Sequence, residues 1–218
     1  LDLSNFNTSY VTDMNAMFVN CSRLTTLDLR SFNTSRVTTM KDMFNGCSGL
    51  KTLDVNSFDT SKVTNMQGMF ANCSGLTTLD VSNFDTSKVT NMYQMFYNCS
   101  GLAELNVSKF DTSQVTTMYR MFAGCSGLTT LDVSNFDTSK VTNMQYMFTR
   151  CTKLKTIYVK QYDGTTNTGW TTSAVTSSYG MFELCPNLTG GNRTTYSSSY
   201  TTATYARIDT EEEPGYFT

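Results

Sequence analysis

Apolar residues do not scatter along this chain; they return at fixed phases of a 26-residue period. Cys21, Cys47, Cys73, Cys99, Cys125 and Cys151 are each 26 residues apart, and Cys185 follows after an interruption. Met falls in two phases, Met14, Met40, Met66, Met92, Met118, Met144 and Met17, Met43, Met69, Met95, Met121, Met147, with Met181 holding the second beyond the interruption. Phe does the same. One phase runs from Phe6 through Phe58, Phe84 and Phe110 to Phe136, with Tyr162 in the last place. The other runs from Phe18 through Phe70, Phe96 and Phe122 to Phe148 and Phe182. Such self-similarity is the mark of a stacked-repeat architecture.

Within a unit the apolar spacing names the local elements. Leu76, Leu79 and Val81 give L-x-x-L-x-V, and the alternation Thr78-Leu79-Asp80-Val81-Ser82 predicts a short strand. Asp59-Thr60-Ser61 is a turn and N-cap signal. Met66, Met69, Phe70 and Cys73 then follow a helical or 3-10 period. Val63-Thr64-Asn65 fits either an extended segment or a helix start. Gly75 and its counterparts Gly49, Gly101 and Gly127 are expected to close the helical turn.

A single unit has too little apolar surface to fold, whereas stacked units bury a shared core. The predicted fold is a leucine-rich-repeat-like right-handed solenoid, with one short parallel strand and one helical or 3-10 turn per 26-residue coil. Residues 1–156 make six repeats. Residues 157–218 make a degenerate final repeat and a C-terminal cap, in which Trp170 is expected to seal the last coil or stand out as a binding aromatic. The chain opens at Leu1 in mid-repeat, so a fragment of a longer protein is expected. A monomer is expected, with end-to-end association at the bare N-terminal coil.

Composition narrows the function classes. The net charge of −2 comes with no basic run, which argues against nucleic acid. No stretch reaches the roughly 18 apolar residues that cross a bilayer. The sequence has no His, no C-x-x-C, no G-x-S-x-G elbow and no phosphate-binding glycine fingerprint. The expectation is therefore a non-enzyme without cofactor or metal.

The string N-M-x-x-M-F-x-x-C-S-G-L-T-T-L-D-V-S-N-F-D-T-S-K-V-T, clearest over 65–90 and 91–116, resembles the BspA-like leucine-rich-repeat surface proteins of bacteria. The tail over 201–218 is similar to the segment that closes such arrays. The resemblance covers essentially the whole chain. It implies an exported protein, extracellular or held at the cell surface by segments outside this sequence. It also implies, from some members, adhesion to host extracellular proteins or to other cells, and supplies no catalytic residues. The extended repeat face itself suits a host or bacterial surface protein or a glycan as partner.

Four sets of residues are candidates for chemistry. The Cys column, with Cys47, Cys73, Cys99 and Cys125 at its centre, reads as buried free thiols, with disulfides between coils as an alternative. The Met66, Met92, Phe70 and Phe96 columns read as core rather than as a ligand box. Asp28, Asp54, Asp80 and Asp132, with Asp2 and Asn106, form a solvent-facing strand column, and Asp59, Asp85, Asp111, Asp137 and Asp163 a turn column. Stacked carboxylates could recruit Ca²⁺ or serve a glycosidase. The plainer reading is that turn Asp caps the helix and strand Asp bonds to Thr hydroxyls. Finally, Tyr93, Tyr97, Tyr119 and Tyr146 vary between units on the helical side, and Tyr93 and Tyr119 share a phase and should stack. Such a patch suits protein or sugar contact. The sequence thus points to an adhesin-like surface module, with a structural stalk as the alternative and a carbohydrate-active enzyme as a remote one.

Overall fold

The computed structural model describes residues 3–161 and 169–218. Leu1, Asp2, Tyr162 and Asp163 lie outside these, so the strand-column place of Asp2, the turn-column place of Asp163 and the aromatic phase of Tyr162 do too.

The chain is a solenoid whose coils stack through parallel bridges at one repeated position: Asp13, Thr39, Asn65, Asn91, Thr117, Asn143 and Ser177, each paired with the next. This settles the Val63-Thr64-Asn65 segment as extended backbone. The L-x-x-L-x-V segment behaves differently from expectation. It forms a regular strand pair only as β1 (Thr130–Asp132) and β2 (Thr156–Tyr158), which are parallel with Leu131 opposite Ile157. In the preceding coils, among the described residues, the same segment forms no regular strand pair and keeps a single backbone rung, from the Thr77 amide to the Lys51 carbonyl.

No helix follows the bridge position. In the stretch Met40–Cys47, alternate amides point in two directions. Met40, Asp42, Phe44 and Gly46 donate to Asn65, Gln67, Met69 and Ala71 of the next coil, at 2.7–3.1 Å. Met43, Asn45 and Cys47 donate three residues back, to Met40, Asp42 and Phe44. The i→i+3 bonds are those of a 3-10 turn. A helix cannot propagate, however, because Asp42 and Gly46 have φ of 53° and 80°. Positive φ at the third residue of a four-residue turn is the type II arrangement. Every coil repeats it: Ala16 and Asn20, Gly68 and Asn72, Gln94 and Asn98, Arg120 and Gly124, Tyr146 and Arg150, Gly180 and Leu184. For the non-glycine members this costs on the order of 1–2 kcal/mol each, offset by the inter-coil bonds on either side.

The Gly49, Gly75, Gly101 and Gly127 column has another cause than the one expected. A Cβ on Gly101 would lie 2.5 Å from the Leu76 carbonyl oxygen and 2.7 Å from that of Ser74. Glycine is there because backbones of adjacent coils touch, not to end a helix.

The core is built of repeated columns. The Phe18-to-Phe182 rings stack with centroids 5.6–5.9 Å apart, the offset arrangement that aromatic quadrupoles favour. Met66, Met92, Phe70 and Phe96 are fully buried. Behind the turn, Thr34, Thr60, Thr86, Thr112 and Thr138 form a buried hydroxyl column. The hydroxyls of Thr34, Thr60, Thr86 and Thr112 donate to the carbonyls of Asp59, Asp85, Asp111 and Asp137, at 2.8–3.0 Å.

At the C-terminal end the ladder is closed by different chemistry. The Phe182 amide donates to the Thr201 carbonyl and the Leu184 amide to the Tyr196 hydroxyl. Tyr216 and Phe217 are buried, edge-on to Phe182. The Asp209 carboxylate ties this tail together, accepting from the amides of Asn192, Thr194 and Gly215 and from the Thr194 hydroxyl. Burial works to raise its pKa. These hydrogen bonds outweigh that and hold it below the usual value.

Candidate interaction surface

The tyrosines form a surface with defined geometry. Tyr93 and Tyr119 stack at 4.8 Å, as equal phase requires. The next residue in their column is Gln145, which leaves a gap. Tyr146, one residue on, fills it, edge-on to Tyr119 at 6.0 Å and to Tyr179 at 5.5 Å. The result is a continuous row Tyr93–Tyr119–Tyr146–Tyr179, ending in a Tyr179 that is 63% exposed.

Two backbone features make the row. Tyr146 sits at φ 57°, an outlying conformation for a bulky residue. Gly180, at φ 64°, clears the space: a Cβ there would lie 2.6 Å from the Tyr146 ring. Arg120, also in the left-handed region at φ 53°, places its guanidinium 4.9 Å from the Tyr146 ring centroid, 5.2 Å from that of Tyr119 and 5.9 Å from that of Tyr97. A cation shared among three rings is held in place yet remains half-exposed. Sequence reasoning found Tyr93, Tyr97, Tyr119 and Tyr146 but missed Arg120 and Tyr179. Tyr179 was readable, since it keeps the Tyr93 phase across the interruption. Arg120 was not, because its role depends on the reversed turn.

Trp170 is no contact residue. It is 4% exposed, stands edge-on to Phe217 at 4.8 Å and donates its indole N–H to the Ala206 carbonyl. A buried indole with its polar atom satisfied has nothing left for a partner.

The strand-column carboxylates are exposed and point outward. Asp54, Asp80 and Asp132 each accept the amide two residues on, from Asn56, Ser82 and Ser134, rather than a Thr hydroxyl. Asn106 does the same with Ser108. Asp28 is additionally forked by the Arg30 guanidinium, which brings its pKa to about 2. The turn carboxylates Asp59 and Asp85 accept from Ser61 and Ser87, and those bonds hold them below the ordinary range. They cap turns, not helices. Asn7 and Asn33 make the same bond. Among the described residues no three His, Cys, Asp or Glu side chains are grouped so as to hold a metal ion.

The thiols are inward and free. Those of Cys47, Cys73, Cys99, Cys125 and Cys151 each donate at 3.1 Å to a Phe carbonyl of the preceding coil. Burial pushes the Cys47 thiol to about 11 and those of Cys73 and Cys185 to about 12. They are core atoms, poor nucleophiles at neutral pH. At the N-terminal end Phe6, Tyr10, Met17 and Val19 are exposed, with the Arg36 guanidinium over the Tyr10 ring. Among the described residues no helix is long and apolar enough to cross a membrane.

Comparison with known proteins gives a family and some distant likenesses. No curated protein matches the sequence. A leucine-rich repeat protein from Bacteroides ovatus aligns with TM-score 0.42 and 15% identity, over 83% of this chain and 58% of its own. A leucine rich cell surface protein from Faecalibacterium prausnitzii aligns with TM-score 0.26 and 17% identity, over 71% of this chain and 65% of its own. The functional domain of InlJ from Listeria monocytogenes, which includes a cysteine ladder, aligns with TM-score 0.28 and 19% identity, over 76% of this chain and 47% of its own. The chain thus spans less than two thirds of each of these. The family described as Mycoplasma protein of unknown function, DUF285, matches residues 1–78 and 73–191, which together take in the whole repeat array and part of the C-terminal region. The chain belongs to the DUF285 family.

Proposed function

We propose that this chain is a non-enzymatic, BspA-like surface module of an exported bacterial protein, and that it binds a surface protein or glycan through the row Tyr93–Tyr119–Tyr146–Tyr179 with Arg120. The observation that carries the reading is the continuous outer row itself: four tyrosine rings in contact from coil to coil, with the Arg120 guanidinium within 4.9–5.9 Å of three ring centroids. Rigid aromatic and Arg side chains are the usual anchors of binding surfaces.

A glycosidase acid needs a carboxyl whose pKa is raised, and the Asp28, Asp59, Asp80, Asp85 and Asp209 carboxyls are all lowered.

The test is a glycan array and a pull-down against extracellular matrix and bacterial surface proteins, run with the wild type and with Tyr119→Ala and Arg120→Ala. Binding that falls at least about tenfold in both variants supports the site, since hot-spot truncation costs about 2 kcal/mol or more. Binding that persists unchanged moves the contact elsewhere, and a wild type that captures nothing favours a stalk.

A further inference from the structure

The face formed by the L-x-x-L-x-V segments carries a groove that the tyrosine row does not use. Its volume is about 600 Å³, and it runs across Thr52–Asp54, Thr78–Asp80, Glu104–Asn106 and Thr130–Asp132. Three observations define what it takes.

The first is open backbone. Among the described residues, no inter-coil backbone hydrogen bond joins the runs over 52–54, 78–80 and 104–106, whereas the equivalent runs β1 and β2 are paired. The same contrast shows in the floor. Leu53, Leu79 and Leu105 are 6–7% exposed where the ladder is open, and Leu131 is 1% exposed where it is closed. One rung, from the Thr77 amide to the Lys51 carbonyl at 3.1 Å, stands just before these runs. Beyond it, peptide groups not joined in an inter-coil ladder and apolar surface share one groove.

The second is charge. Asp54, Asp80, Glu104 and Asp132 line the groove, and the ion pairs found among the described residues, Asp28–Arg30 and Arg207–Glu213, involve none of them. The third is that these carboxylates are spread along the array. They do not gather into a group able to chelate one ion. The complement is a cation distributed along a chain.

We propose that this groove binds an extended peptide segment rich in Lys and Arg. Its amide groups pair with the open backbone, its basic heads meet the carboxylates, and its methylene stems lie on the Leu floor. A polyamine carries the charge but offers no carbonyl acceptors to the backbone. A nucleic acid carries the wrong charge.

The experiment uses the whole chain and a fluorescent peptide of alternating Lys and Ser about eight residues long, enough to overrun four coils at about 4.8 Å each. Binding is read by anisotropy. Asp54→Asn/Asp80→Asn/Asp132→Asn is the groove variant, and Asn106 shows that an amide keeps the local turn bond. Asp59→Asn/Asp85→Asn/Asp111→Asn is the control, removing equal charge from the turn column where Asn7 and Asn33 already stand.

The groove variant should weaken binding by about tenfold or more, and the control by less than about threefold, because exposed charges away from the peptide contribute little. A peptide N-methylated at alternate amides should bind at least about tenfold more weakly. Equal loss in both triple variants, full affinity of the N-methylated peptide or of spermine, or no binding of the parent peptide would each overturn the proposal.

Discussion

Thr112 offers a direct measurement of what holds one coil to the next. Its hydroxyl donates to the Asp137 carbonyl at 2.9 Å and accepts the Asp137 amide at 2.8 Å, and both residues are buried. Thr112→Val keeps the shape and removes both bonds, leaving an amide and a carbonyl without partners. A stranded buried polar group costs about 1–3 kcal/mol, so the variant should lose roughly 2–6 kcal/mol. That is a large part of the 5–15 kcal/mol typical of a folded domain. Thr112→Ser keeps the hydroxyl and deletes one methyl, for about 1 kcal/mol. Urea unfolding gives the total for each variant. Hydrogen exchange at the Asp137 amide gives the local opening, which matters because solenoid coils open through nearest-neighbour contacts. If Val and Ser prove equal, or Val costs less than about 0.5 kcal/mol, the hydroxyl column does not bind the coils and the reasoning fails.

Four further perturbations probe other columns and the C-terminal tail. Gly101→Ala forces a Cβ against two carbonyl oxygens of the preceding coil; a loss of about 1–3 kcal/mol is expected in thermal unfolding, and an unchanged midpoint would contradict the close approach. With a thiol reagent at pH 8, the half-exposed Cys21 should react quickly and the buried six only after denaturation, as site-resolved mass spectrometry would show. Because Cys73 and Cys185 titrate near 12 in the fold and about 9 when unfolded, their contribution is full below pH 9 and declines from there toward pH 12, by about 1.4 kcal/mol per pH unit per thiol. Cys73→Ala should flatten that decline in urea midpoints. Asp209 has the opposite sign: its folded pKa lies below 3.8, so its stabilisation is present above that pH and fades as pH falls. Fluorescence of Trp170, packed beside this tail, should change in acid, and at neutral pH in Asp209→Ala; an unaltered signal would remove Asp209 from its role.

How much of this was readable beforehand depends on the kind of information each column carries. Burial of Cys, Met and Phe follows from phase and apolar character together, since an apolar residue that recurs at one place in every coil can stack on its own copy inside the core. Met66, Met69, Phe70 and Cys73 have a spacing that fits a helical or a 3-10 turn; the structure keeps the i→i+3 bonds, while propagation into a helix is blocked by backbone sign. The signal was present in Asn20, Gly46, Asn72, Asn98 and Gly124, one column alternating between the two residues that tolerate the left-handed region. The Thr column was hidden by its neighbours, for D-T-S reads as a turn whether or not the middle hydroxyl is buried. The Tyr phase gave the Tyr93–Tyr119 stack. The place of Arg120 arises from tertiary geometry and had no local signature.

The repeated ladder has a consequence for how such a molecule changes over generations. The Met40 and Met66 amides donate to the next coil and the Thr64 and Thr90 amides to the preceding one, and the same pattern recurs along the array, each coil bonding to its two neighbours. Removing or duplicating one whole 26-residue period leaves the repeated core columns matched, while a loss one residue shorter would displace all columns at the joint. Unequal crossing-over between the copies in the coding sequence would therefore yield folded products of graded length, about 4.7–4.9 Å per coil. Reach can be selected separately from what the side chains recognise.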